Sequence, residues 1–181
     1  MQKSHNDGTT AQDLVAEVLV DLEQFHRMTF VRLYDSKSAG YGQGGNLIPP
    51  QPADFIVAGR NGAFLLEVKS SITAESLADT AVKSMFKPNQ ISGAKLWCRA
   101  GQRAVCVFYS LRTKLFEVWP MAPIWEAYGQ GPRKRGLVQI TPPGEYTKHS
   151  CLCACNAQGS DSSMGWRYLT KPMLLDVLKN F

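Results

Sequence analysis

The sequence predicts an α/β fold, a mixed β-sheet flanked by helices, and three stretches carry that prediction. Near the N-terminus apolar residues recur at helical spacing. Between residues 54 and 69 two β-prone runs flank Asn61-Gly62. Beyond them, two helical segments lead into the apolar runs Val105–Tyr109 and Lys114–Trp119.

The helix comes first. Leu14, Val18, Leu22 and Phe25 form a stripe with Val15 and Leu19 beside it, a face suited to lie on a sheet, and Glu17, Asp21 and Glu23 fall off it. Phe30–Asp35 alternates as a strand does. A glycine-rich stretch, Ser36–Asn46, follows without the Gly-Lys-Ser/Thr of a P-loop, and it reads as a long loop with Lys37 and Tyr41 as candidate contacts to a phosphate-bearing partner.

Asn-Gly between apolar runs is a hairpin signal, because a type I′ turn needs positive φ at both central residues. With Asn61-Gly62 central, Asp54 faces Lys69; with Arg60-Asn61 central, Asp54 faces Glu67. Side chains alternate with period two, so either register puts Asp54, Glu67 and Lys69 on one sheet face at the open end of the hairpin. Two carboxylates and a lysine among Phe, Ile, Val and Leu are costly unless compensated. Paired carboxylates suit Mg²⁺, with Mn²⁺ as a substitute, and a neighbouring lysine suits the positioning of a water. The alternative is a plain cross-strand salt bridge.

Ala74–Phe86 and Pro88–Arg99 read as helices, with Pro88 at a first helical position. Lys83 and Lys87 are four apart, as are Lys95 and Arg99, and each pair makes a row that can follow a phosphate backbone. Arg112-Thr113 links the two later strands, Met121–Tyr128 reads as a short helix, and Pro172–Leu178 closes the chain as another. Between these helices Arg133, Lys134 and Arg135 form a compact basic loop, a further candidate for phosphate contact.

Composition narrows the class. The chain of 181 residues holds one domain, 10–181, behind a polar stretch, 1–9, expected to be disordered. No run approaches the roughly 18 apolar residues of a membrane span, and Met1–Asp7 lacks an apolar leader core, so a cytoplasmic protein is expected. A net charge of +5 and a pI near 9.0 favour a polyanionic partner. Five cysteines, an odd number, are expected as reduced thiols. Cys151, Cys153 and Cys155, with His149 before them, lack the paired spacing of structural zinc sites and are expected to line one face of a strand without metal.

Asp54, twelve intervening residues and then Glu67-Val68-Lys69 resembles the motif of the PD-(D/E)XK nuclease superfamily. The segments Ser70–Ser84, Phe86–Ile91 and Gly101–Phe108 resemble the RecU-like Holliday-junction resolvases, and the likeness runs from about residue 15 to residue 140. Ala53 and Asn89 depart from that branch, which often has threonine and histidine there. The resemblance implies a restriction-endonuclease-like core and a Mg²⁺-dependent endodeoxyribonuclease acting on four-way junctions as a twofold dimer. Asp54 and Glu67 would hold the metal with the Val68 carbonyl and a first-helix acid, for which Glu17 is the best match by position. Lys69 and Gln90 would serve the attacking water. Two alternatives stand beside it, another nuclease of the superfamily acting at restriction sites, nicks or ends, and a basic DNA-binding module without catalysis.

Overall fold

The computed structural model describes residues 9–33, 51–129, 144–145 and 166–181. Among them seven strands form one mixed sheet. In chain order the elements are helix α1 (Thr9–His26), strands β1 (Thr29–Arg32), β2 (Phe55–Gly59) and β3 (Gly62–Ser71), a 3₁₀ turn (Leu77–Asp79), and helices α2 (Val82–Met85) and α3 (Pro88–Arg99). Then follow β4 (Arg103–Ser110), β5 (Leu115–Pro120), helix α4 (Met121–Gly129), β6 (Gly144–Glu145), β7 (Trp166–Leu169) and helix α5 (Lys171–Leu178). The sheet order is β1-β2-β3-β4-β5-β7-β6, with β3·β4 and β6·β7 parallel and the other pairs antiparallel. The expected α/β class is therefore the observed one.

β3 lies inside the sheet between β2 and β4 and is buried from Phe64 to Val68, as a strand covered on both faces must be. Its alternation divides the core. Phe64, Leu66 and Val68 face a cluster with α1 and α5, including Val15, Val18, Leu22 and Leu174. Leu65 faces a second cluster with Phe86 near α2, Ile91 and Ala94 of α3, and Ile124 of α4. Glu67 and Lys69, at the same parity as Leu65, fall on that second side.

Several elements differ from expectation. The hairpin pairs Gly59 with Gly62, so of the two registers open to the sequence it takes the one with Arg60 and Asn61 central, not the Asn61-Gly62 turn that the dipeptide signalled. In this turn only Gly62 has positive φ, at 109°, and a type I′ turn needs two such residues in succession. On α1 the buried residues are Ala11, Val15, Val18, Leu19 and Leu22, whereas Phe25 is 73% exposed, because the helix runs past the sheet edge before Arg27 (φ 55°) ends it. The segment 74–86 is not one helix. Ser76 Oγ accepts from Ala78 N at 3.2 Å and Asp79 Oδ2 from Ser76 N at 3.1 Å, and such side-chain bonds divert the backbone into the 3₁₀ turn. The link between β4 and β5 is four residues, Leu111–Lys114, since Ser110 pairs with Leu115 and Lys114 takes a positive φ of 61°. Strand β7 carries no element in the sequence reading.

Two features bring α3 close to the start of β2. A Cβ at Gly93 would lie 2.4 Å from Pro52 Cβ, so the absence of a side chain lets the helix approach the segment that leads into Asp54. Asn89 Nδ2 donates to the Gln51 carbonyl at 2.5 Å. The helix is thereby fixed with its N-terminal turn, which bears Gln90, beside the ends of β2 and β3.

Candidate active site

Asp54 immediately precedes β2, one position beyond the last registered pair, Phe55 and Leu66. Its backbone is held by Leu33 N, which donates to Asp54 O at 2.7 Å, and its side chain does work that the ladder no longer does. Asp54 Oδ2 accepts from Val68 N at 2.7 Å. Asp54 Oδ1 accepts from Gln12 Nε2 at 2.8 Å. Gln12 is itself oriented, because its Oε1 accepts from Arg32 Nη2 at 3.0 Å.

Glu67 is 2% exposed in the middle of β3. Its Oε1 receives both the Lys69 ammonium, at 2.5 Å, and Gln90 Nε2. Its Oε2 is buried with no hydrogen-bond partner among the described residues. Gln90 closes the ring: its Oε1 accepts from Lys69 Nζ at 3.2 Å and from Lys87 N at 2.9 Å. The Lys69 ammonium also lies 5.1 Å from the centre of the Phe86 ring, a further favourable contact for a largely buried cation.

The electrostatics follow from this crowding. Burial, and next the charge of Asp54, push the Glu67 carboxyl up to about 8, although Lys69 and Lys87 oppose them. Burial raises Asp54 too, against the Val68 N–H and the cations Lys69, Arg32 and Lys87. For Lys69 burial works against the charged form, but the Glu67 carboxylate beside it, by charge and by hydrogen bond, prevails with Asp54 and lifts the ammonium above its ordinary value. A lysine so held keeps its proton. It is a donor to water or phosphate rather than a base.

A cavity of about 80 Å³ opens beside the cluster, lined by Leu33, Gln51, Ala53, Asp54, Lys87, Asn89 and Gln90. Asp54 and Lys87 give it one acidic and one basic wall. It has room for ordered water on polar partners.

The orphaned Glu67 oxygen is the observation that tests a metal here. Buried polar atoms are nearly always bonded, and an unpartnered carboxylate oxygen calls for a ligand. Two adjacent carboxylates whose proton affinity is raised fit a divalent cation, and Mg²⁺ takes one or two carboxylates with water completing its shell. Among the described residues no group of three or more His, Cys, Asp and Glu side chains is assembled for metal, so the carboxylates available to one here are those of Asp54 and Glu67.

The structure brings together Asp54, Glu67, Val68, Lys69 and Gln90. It does not bring Glu17 to them. Glu17 pairs with Lys171 of α5 at 2.7 Å on the exposed side of α1. Five positions separate Gln12 from Glu17, about 140° round the helix, so the two cannot face the same site. Gln12 and Arg32 are absent from the sequence reading; the available signal was a polar residue three positions before Val15, on the edge of the buried stripe. Lys87 lines the cavity, Lys83 is exposed with its ammonium 5.9 Å from the Tyr128 ring centre, and Lys95 and Arg99 lie further along α3. Lys37, Tyr41, Arg133, Lys134, Arg135, His149, Cys151, Cys153 and Cys155 lie outside the described residues, as do residues 1–8.

A second buried acid is structural. Glu117 of β5 accepts from Ser76 Oγ (3.0 Å), Leu77 N (2.9 Å), Trp119 Nε1 (2.9 Å) and Arg167 Nε (3.2 Å). Its two oxygens are both engaged, and it pins the 3₁₀ turn and β7 to the sheet.

No protein-family model matches the sequence, and no curated protein matches it. Among described residues no helix is long and apolar enough to cross a membrane. Among solved structures the chain is similar to Hjc, a Holliday junction resolvase from the archaeal hyperthermophile Archaeoglobus fulgidus, with 13% identity, 62% of this chain and 78% of that chain covered, and a TM-score of 0.41.

Proposed function

We propose that the protein is a metal-dependent endodeoxyribonuclease of the PD-(D/E)XK type, and that it cuts four-way DNA junctions as RecU-like resolvases do. The observation that carries the nuclease reading is the buried, unpartnered Glu67 Oε2 beside Asp54 and Lys69. Four-way junctions as the substrate rest on the motif resemblance, and so does the twofold dimer, since resolving a junction takes two symmetric cuts.

When bound by Asp54, Glu67 and the Val68 carbonyl, a divalent cation supplies Lewis-acid polarisation of the scissile phosphate and lowers the pKa of its water. The chain's own residues do the positioning. Gln12 and Val68 N–H fix the Asp54 carboxylate from two sides. Gln90 holds Glu67 and Lys69 in mutual register. Lys69 has three N–H donors; with two directed to Glu67 and Gln90, one is left for the attacking water or a phosphate oxygen. Lys87, on the cavity wall, supplies a further positive charge toward a bound phosphate.

Gel assays on labelled four-way, nicked and linear DNA with Mg²⁺ test the reading. Paired cuts confined to the junction support it. Preferential cutting of nicked or linear DNA would keep the chemistry and assign another substrate, and no cutting of any DNA would leave only the DNA-binding module. Gln12 has its own expected outcome. Partners that orient a ligand are worth about 10–100-fold in metal affinity, so Q12A is expected to shift the Mg²⁺ dependence of cleavage upward by about that factor, with the rate at saturating Mg²⁺ largely recovered. An unchanged Mg²⁺ dependence would remove Gln12 from the site.

A further inference from the structure

The sheet face that carries Glu67 and Lys69 is covered by α2, α3 and α4, and the outer surface of these helices has a distinct chemistry. Their sequences contain three cations, Lys83, Lys95 and Arg99, against one acid, Glu126. No acid among the described residues pairs with Lys95 or Arg99. Between α3 and α4 lies an open groove of about 440 Å³ lined by Lys95, Cys98, Arg99 and Trp125. One turn further along α4, Tyr128 carries the Lys83 ammonium 5.9 Å from its ring centre. Aromatic and cationic side chains thus alternate along one strip.

We propose that this groove binds an unpaired stretch of DNA, a base against Trp125 and successive phosphates at Lys95 and Arg99. The proposal rests on the protein being a DNA-processing enzyme and specifies which part of a branched substrate it holds. The chemistry favours a single strand over a duplex. Stacking on an aromatic side chain needs an exposed base face, which every unpaired base has and a base inside a duplex lacks. Lys95 and Arg99 are four residues apart, about 6 Å along the helix axis, and lie on one side of it. That spacing lets one strand meet both. A groove meant for an apolar protein segment would not be flanked by two cations that no acid among the described residues neutralises. The position is also suitable: Gln90, in the first turn of α3, touches Glu67, and Lys95 and Arg99 lie roughly 8–14 Å further along the same helix. A strand leaving the cut along α3 would run over the groove.

The test is binding without cleavage, by fluorescence anisotropy of the full chain in EDTA with labelled oligo-dT and a blunt duplex of the same length. W125A is expected to weaken oligo-dT binding roughly five- to a hundredfold and to leave duplex binding nearly as it was, with W125F retaining most of the affinity. K95Q/R99Q, two changes at the helix surface, is expected to flatten the log-log salt slope on oligo-dT by about 1.4. Wild-type oligo-dT affinity in W125A, or an equal loss on strand and duplex, overturns the proposal and leaves the groove to a protein partner. If W125A fails to fold, K95Q/R99Q decides, and an unchanged slope overturns it. No metal or cutting enters this measurement, so it can fail while the nuclease reading stands, and the reverse.

Discussion

E67Q is expected to bind four-way junctions as the wild type does and to cut them about a thousandfold more slowly. Glutamine keeps the length of the side chain and its Oε1 can still receive Lys69 and Gln90, so the fold around β3 has no reason to change. What disappears is the negative charge and the second oxygen, the one with no partner among the described residues. If that oxygen serves a cation, its loss removes several kcal/mol of transition-state charge stabilisation, and each 1.4 kcal/mol or so is tenfold in rate. E67Q that cuts at the wild-type rate would reduce the Glu67–Lys69 pair to a buried salt bridge.

The second large effect is on stability and runs with pH. In the protein without metal, Glu67 is held at about 8 against an ordinary value of 4.5, and Asp54 is raised in the same sense. A raised folded-state pKa means that the folded protein binds the proton more tightly than the unfolded chain does. The associated stability is fully present below pH 4.5 and is lost as pH rises to about 8. Lys69, raised as well, contributes stability that persists through this window and is lost only at higher pH. Unfolding free energies from urea titrations in EDTA are therefore expected to fall between pH 4.5 and 8, by on the order of a few kcal/mol in total, and to fall much less in E67Q. Saturating Mg²⁺ at pH 8 is expected to restore stability to the wild type, since a ligand that binds only the folded state stabilises it by mass action. A flat profile in EDTA would mean that Glu67 stays ionised beside Lys69 and that no charge is missing from the site.

The parts of this site that share one local pattern were legible in the sequence. Asp54, Glu67 and Lys69 lie within one hairpin, and the alternation of strand side chains places them whichever register the turn adopts. The register itself was not legible, because Asn-Gly serves equally where glycine is a turn centre and where, as at Gly62, it begins the returning strand. Pro88 marked the start of α3 correctly, and with it the position of Gln90. Gln12 escaped because its partner lies 42 residues away, and only the packing of α1 against the sheet decides which helix position reaches Asp54. Glu17 drew attention by its charge and position on α1, yet it is engaged with Lys171. Strand β7 was obscured for a similar reason. Its four residues, Trp166–Leu169, are too few for a period to show, and they are held to β5 by register and by the Arg167–Glu117 pair.

The proposed seating of a divalent cation by Asp54 and Glu67 together is open to calorimetric titration of Mn²⁺ into the DNA-free protein. Wild-type protein is expected to bind Mn²⁺, more tightly above pH 8 than below it, because Glu67 then has no proton to give up. D54N and E67Q are each expected to lose that binding while keeping a wild-type circular dichroism spectrum. Wild-type protein that takes up no Mn²⁺, or D54N that binds it as the wild type does, would contradict the claim.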